Sequence, residues 1–286
     1  MFSQDKDSDD EPKPAKKSKF LTGFFVGSYF ANKYSASTYN GYGFDINGNR
    51  NTFLNSFMYQ KIKNEYGGGY GQHDYVADAL GVDRGQWEFN ESDMPVNMRY
   101  VPAIMVGFNF KLPVAKRSSI ILNVNGSKLR IEGNFTISTL KPLTQPVNPA
   151  TSPNLNIGVI KGQEQRLLFQ LGYQHLFGDD EKINFLTEIG FVGTLVKYDK
   201  NWIYINTLEI DLTSYLNQAL YPAPPPTRRP VGFGIGAFAG IGMNVNINPK
   251  FTIQLLYSPS QEKINIGTNP ALKFQHALGL RIYYNL

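Results

Sequence analysis

From Phe20 onward, apolar and polar residues alternate with a period of two over most of the chain. Phe20, Thr22, Phe24, Val26, Ser28 and Phe30 share one face, against Gly23, Phe25, Gly27 and Tyr29 on the other. The same pattern recurs around Tyr100–Lys111, Ser119–Asn125, Arg166–Phe177 and Ile183 to about Lys197. It is cleanest in the last three segments. From Phe233 to Ile247 every odd position is apolar, while the even positions are Gly, Asn and one Phe. Phe251–Ser258 and Leu272–Asn285 repeat the alternation. A helix would spread these apolar residues around its circumference, whereas a strand collects them on one side, so the pattern predicts eight strands.

The connections alternate as well. Leu112–Arg117, residues 178–181 and Asn248–Lys250 are short polar turns. The intervening connections, about Asn32–Met98, Glu132–Gln163, Asp199–Pro230 and Pro259–Pro270, are long. All short turns then fall at one end of the sheet together with both termini, and all long loops fall at the other. An even number of antiparallel strands with this asymmetry is the plan of a barrel that crosses an outer membrane. The choice of apolar face agrees. A solvated outer face carries about 25–35% charged residues, but the non-apolar face here is Gly, Asn, Gln, Ser and Thr with isolated charges at Arg166, Glu188, Lys273 and Arg281. Such a face suits a filled lumen. Aromatic residues near the strand ends (Phe20, Tyr100, Phe110, Phe177, Phe251, Tyr257, Tyr284) suit interfacial girdles.

Composition narrows the chemistry. The 286 residues are 42% hydrophobic with 20 Phe, 17 Tyr and 27 Gly, too apolar for a disordered chain. No run of 18 apolar residues is present, which excludes a spanning helix but not spanning strands. Without Cys there is no disulfide, thiol nucleophile or iron–sulfur ligand, and three His leave few metal ligands. The net charge of +5 is scattered, which argues against a nucleic-acid partner. Residues 1–19 balance five acidic against five basic side chains and read as a flexible periplasmic tail ahead of a barrel over 20–286. No apolar segment of a secretion signal follows Met1, so an envelope location implies a processed chain.

The segment Phe20–Leu286 resembles the small eight-stranded bacterial outer-membrane barrels of the OmpA transmembrane domain, OmpX and OmpW type. Its ending, Gly279-Leu-Arg-Ile-Tyr-Tyr-Asn-Leu286, is similar to the C-terminal assembly signal of such barrels, although it closes on Leu286 instead of Phe and has Ala277 at a usually polar position. The resemblance implies handling by the barrel-assembly machinery. The wording Tyr39-Asn-Gly-Tyr-Gly-Phe-Asp-Ile-Asn-Gly48 also looks like the small barrels that accompany type 9 secretion and gliding machinery.

The remaining motifs mostly have structural readings. Gly232–Gly240 matches glycine-loop and GxxxG patterns only superficially; on a strand, these glycines line one face and leave room for large side chains opposite. Tyr66–Gln72 with His73 and Asp74 lacks a phosphate-loop Lys and a ligand set, so it reads as a connector. His276 and His175 have no recognisable triad partner and read as interface histidines. The long first outer loop, residues 36–97, is different, because loops of that length are usually functional. Thr52–Glu65 has helical spacing, and Asp74 caps a second short helix that ends near Leu80. Phe53, Phe57, Met58, Tyr75, Trp87 and Phe89 give this loop an apolar surface that must pack on other loops as a lid or on another protein. Tyr221–Pro230 reads as a stiff extended strip.

The sequence therefore predicts an all-β, eight-stranded antiparallel transmembrane barrel in a bacterial outer membrane, with long extracellular loops and short periplasmic turns. It predicts no cofactor, metal or catalytic set. The expected function is a non-enzymatic structural or accessory subunit of an envelope complex, of the secretion or assembly kind. The expected partners are outer-membrane lipid and other envelope proteins (barrel or lipoprotein subunits), bound through the six loop residues or the tail. The alternatives are a lipid-modifying enzyme that uses His276 or His175, and a narrow channel for small hydrophobic molecules.

Overall fold

β-Branched and aromatic residues at every second position favour a pleated strand with one lipophilic face. In the computed structural model, which describes residues 20–44, 49–140, 154–178, 182–213, 231–266 and 271–285, eight such strands form a ring. They are β1 (Leu21–Phe30), β2 (Ala103–Ala115), β3 (Ser118–Thr139), β4 (Asn154–Phe177), β5 (Ile183–Ile205), β6 (Val231–Asn248), β7 (Phe251–Asn265) and β8 (Leu272–Asn285). Every strand pairs antiparallel with its chain neighbours, and β1 pairs with β8 to close the sheet. The tail 1–19, the strip 221–230, residues 45–48, most of the turn 178–181 and Leu286 lie outside the described residues.

The registers fix the size of the ring. From Leu21 the partners run through Lys111, Ile121, Gly172, Gly190, Phe238, Ser260 and Gln275. Gln275 lies one residue before His276, which faces Phe30, so the circuit returns ten residues along β1. Eight strands with a shear of ten tilt by about 40° and enclose a radius of about 8 Å, a lumen that side chains can fill.

The outer face is lipophilic. Phe191 is 75% exposed and Ile104 73%, and large apolar residues stand out on every ring strand. On β4 the outward positions from Leu167 to Phe177 span about 25 Å along the barrel axis at this tilt, the height of a membrane's apolar band. At the turn end Phe20 stacks on Phe110 (5.9 Å between centroids) and Phe251 lies 5.2 Å from Tyr284, forming the expected girdle. Tyr100 does not belong to it. It precedes Pro102, whose missing N–H interrupts β2, and its side chain turns into the barrel mouth, where it is buried.

The eight expected strands are all present, but β3, β4 and β5 run much further than the apolar face suggested. β3 continues to Thr139, β4 starts at Asn154 and β5 reaches Ile205 before folding back through Leu208–Asp211. Much of the expected long connections 132–163 and 199–230 is therefore strand, and so is the first part of the expected connection Pro259–Pro270, where β7 continues to Asn265. Beyond the band the pattern changes phase. Leu129, Ile131, Ile137, Ile160 and Ile203 are buried on the inner side, while Lys128, Arg130, Lys161 and Lys200 point outward.

Inside the band, two rings plug the lumen. Phe25 and Phe238 are buried, and inward glycines make room for them. A Cβ on Gly279 would lie 2.6 Å from the Phe25 ring, and one on Gly190 would lie 2.7 Å from the Phe238 ring. Replacing Phe25 by Ala removes a filled cross-section that the rigid ring cannot close, so we expect a loss of about 3–5 kcal/mol. Guanidinium unfolding in detergent, followed by the fluorescence of the two Trp residues, measures it.

Candidate functional site

Above the plug, polar side chains that could not face lipid are gathered at the barrel mouth. Glu164 and Arg166 stand two apart on β4, so both point inward. Arg166 Nε donates to Glu164 Oε1 at 2.6 Å, with both side chains wholly buried. Nη1 donates to Tyr29 OH (3.1 Å) and Gln275 Oε1 (3.3 Å), and Nη2 to Ser35 Oγ and Tyr100 OH (both 3.1 Å). All five guanidinium N–H groups thus have acceptors, the condition under which a buried cation is tolerated. Glu164 Oε2 in turn accepts from Tyr100 OH at 2.9 Å and from Tyr39 OH at 3.2 Å. Tyr39 stacks on Tyr198, with ring centroids 4.5 Å apart.

Ser35 and Tyr39 belong to a tight 3-10 turn, Ser35–Tyr39, that opens the first loop. The loop is therefore latched to the lumen. Its remainder folds as a cap with its own core. A single turn α1 (Phe57–Tyr59) widens into a π-helical turn, Gln60–Glu65, and α2 (Tyr75–Leu80) follows. Asp74 caps α2 as expected, accepting from Ala77 N at 2.9 Å, and its other oxygen takes the Trp87 indole N–H at 3.0 Å. Both oxygens of Asp74 are thereby engaged in holding the cap together. The short strand Trp87–Glu88 pairs with the end of β3. Lys63 lies 4.0 Å over the Trp87 ring. Burial holds its ammonium below the usual lysine range, against the pull of Glu88 and Asp74.

Of the six loop residues expected to meet a partner, Phe57, Met58, Trp87 and Phe89 are buried inside the cap, and Phe53 is half-buried against Tyr59 and Phe89. Tyr75 alone among the six is exposed, at 50%, beside His73 and Tyr66. The lid arrangement is thus the one the structure holds. Sequence reasoning missed Glu164, Tyr39 and Tyr29, which complete the mouth. The available signal was the pair Glu164 and Arg166 on one face of a strand.

No protein-family profile matches the chain, and no curated protein matches its sequence. Solved structures to which its fold is similar include the following three. Neisserial surface protein A shares 5% identity, over 93% of this chain and 96% of that one, at a TM-score of 0.41. The outer membrane protein OprG of Pseudomonas aeruginosa shares 9%, over 94% and 97%, at 0.40. Ail, the attachment invasion locus protein of Yersinia pestis, shares 7%, over 94% and 99%, at 0.37.

A second polar cluster fills the turn end of the lumen. Arg281 Nη1 donates to Glu188 Oε1 at 2.6 Å, and Gln174 and Gln254 join the network, while Arg281 Nε is buried without a partner. Next to it an amide ladder runs from Asn109 through Asn123 to Gln170. Of the charges placed on the inner face by sequence, Arg166, Glu188 and Arg281 are buried there, while Lys273 sits at the rim 4.9 Å over the Tyr34 ring. The two strand histidines face outward. His276 stacks on Tyr257, whose OH lies 2.8 Å from its Nδ1, and Ser118 Oγ lies 3.0 Å from His175 Nδ1. Among the described residues no group of acidic and His side chains could hold a metal ion.

The latch makes a distinct prediction. Arg166→Met leaves the Glu164 carboxylate buried without its cation, and we expect a loss of about 3–5 kcal/mol. Trypsin should then cut at Arg50 and Arg84 in the cap while the barrel stays intact. Adding Glu164→Gln should restore most of the protection. Equal cutting of wild type and Arg166→Met would show that the cap is held by its apolar core alone.

Proposed function

We propose that this chain is a sealed, non-catalytic outer-membrane barrel, a structural or accessory subunit of an envelope protein complex that holds a rigid cap on the outer side. The observation that carries this reading is the latched cap. The apolar loop residues close the barrel, and the mouth beneath them is filled by a fully bonded Glu164–Arg166 pair. A lumen plugged by the buried Phe25 and Phe238 and roofed in this way supports a sealed barrel. A closed ring with a lipophilic exterior supports the membrane placement. A partner would meet the exposed side of the cap, where Tyr75 stands beside His73 and Tyr66. The secretion or assembly role belongs to this proposal too, with the partners being other envelope proteins.

Two measurements test it. In planar bilayers the purified chain should give no conductance steps; steady steps would replace this reading with a narrow channel. In detergent-solubilised envelopes Tyr75→Ala should keep a heat-modifiable barrel but lose co-purifying proteins by about tenfold, the scale of one aromatic anchor. Unchanged co-purification would remove the cap as the binding face.

One contact favours a second reading, a lipid-acting enzyme. Ser118 and His175 are within hydrogen-bond distance near the turn-end girdle, which is the spacing of a nucleophile and its base. Against it, Ser118 is buried, its Oγ accepts from Tyr173 OH, and no carboxylate orients the ring among the described residues. Phospholipid hydrolysis by the wild type that disappears in Ser118→Ala would establish the enzyme reading; an inactive wild type would remove it.

A further inference from the structure

The outer surface of β3, β4 and β5 changes character within one pleat. Gly126, Leu167, Leu195 and Phe233 form the apolar row across β3 to β6 at which the outer face turns basic. The next row outward is Lys128, Gln165, Lys197 and Val231. Arg130, Gln163 and Lys200 stand above it, and Glu132, Lys161 and Trp202 above those. From Leu167 to Lys161 this track covers about 20 Å of strand.

The track is recessed. A groove of about 540 Å³ lies between the apolar and first basic rows, floored by Leu167, Leu195 and Val231 and flanked by Lys128 and Lys197. Its opening depends on Gly126, an outward position where the alternation calls for an apolar side chain. A Cβ there would meet nothing closer than 4.0 Å, so packing does not demand the glycine. A second recess of about 210 Å³ sits higher, among Arg130, Lys161, Lys200, Trp202 and Tyr204. Lys161 lies 5.0 Å over the Tyr204 ring, and Trp202 Nε1 is buried with no hydrogen-bond partner. Lys128 is 59% exposed although Asp199 lies 3.7 Å away. Glu132 and Glu209 are the other acids of the face, against five cations.

We propose that this track binds a phosphorylated, acylated sugar lipid of the outer leaflet. Acyl chain lies on Leu167 and Leu195 in the space over Gly126. Phosphate meets Lys128 and Lys197, with Arg130 and Lys200 above. The sugar rests on the Trp202 and Tyr204 rings. Charge complementarity selects this occupant. A zwitterionic lipid would use the apolar floor without the basic rows, and a protein partner would not need an apolar groove at hydrocarbon depth. Juxtamembrane cations attract anionic lipid strongly enough for a few of them to set a preference.

The proposal rests on the barrel lying in a membrane, and the test reads the two separately. The full chain, in a neutral detergent and shown to be folded by heat-modifiable migration, is titrated with diphosphorylated lipid A, monophosphorylated lipid A or dimyristoyl phosphatidylcholine. Native mass spectrometry counts the retained lipid. Wild type should retain lipid A about tenfold better than phosphatidylcholine, with the monophosphorylated form between them. Lys128→Gln/Lys197→Gln should lose that preference. Gly126→Leu, which fills the groove without changing charge, should lower retention of lipid A about tenfold while the folded band is unchanged. Equal retention of lipid A and phosphatidylcholine by wild type, or full retention by both variants, would overturn the proposal. Absence of the folded band would instead count against the membrane reading.

Discussion

In hydrocarbon no water is at hand for an unpaired N–H or C=O, so a sheet can cross only if its edges meet. The β1–β8 ladder, running from Leu21–Asn285 to Phe30–His276, supplies that closure, and the rest of the molecule follows from it. Closure with a shear of ten sets the radius, and the radius is too small for a water-filled pore and too large for backbone alone. The interior must therefore be filled. Polar residues fill most of it around the Phe25 and Phe238 plug, because the same strands present most of their apolar side chains to lipid. Charged members are admissible only when paired and bonded; Arg166 has acceptors for every N–H beside Glu164, and Arg281 is paired with Glu188, with its Nε left without a partner.

The second governing constraint is the height of the lipid band. Strands longer than the band have two environments, and their side-chain pattern must invert where they leave it. On β3 the apolar positions, Ile121 apart, are even up to Val124 and odd from Leu129, with Gly126 at the crossover. Below that level the lumen is polar and the exterior apolar. Above it the inner face is apolar and covered by the cap, and the exterior begins with basic rows. The cap's buried aromatics thus have the same cause as the basic outer rows.

This inversion also explains what the sequence disclosed and what it hid. The alternation in Phe233–Ile247 was readable because one phase holds throughout. β3, β4 and β5 were cut short because the criterion followed one apolar face, and that face ends where the phase changes. Glu164 was overlooked for the same reason, since it lies just past the strand start assigned at Arg166. Tyr100 resembled a girdle residue by position, but Pro102 and the register change beside it turn the side chain inward. In the first loop, the Asp74 cap was legible from local chemistry. The burial of Phe57, Met58, Trp87 and Phe89 was not, because apolar side chains look alike whether they face a partner or one another.

The extension is also one-sided. β1 stops at Phe30 and β8 begins at Leu272, while the wall of β3, β4 and β5 rises well above them. The cap leans on the inner face of that wall through Leu129, Ile131 and Ile203, and it is tied to the floor of the mouth by Ser35. Fixing the cap on one side leaves the other side of the wall as an open sheet surface that starts at the hydrocarbon boundary. Backbone pairing is already complete there, so recognition on that surface rests on side chains. Its lower edge offers apolar floor, its middle offers ammonium groups and its top offers aromatic faces, in the order in which an amphipathic lipid presents chain, phosphate and sugar.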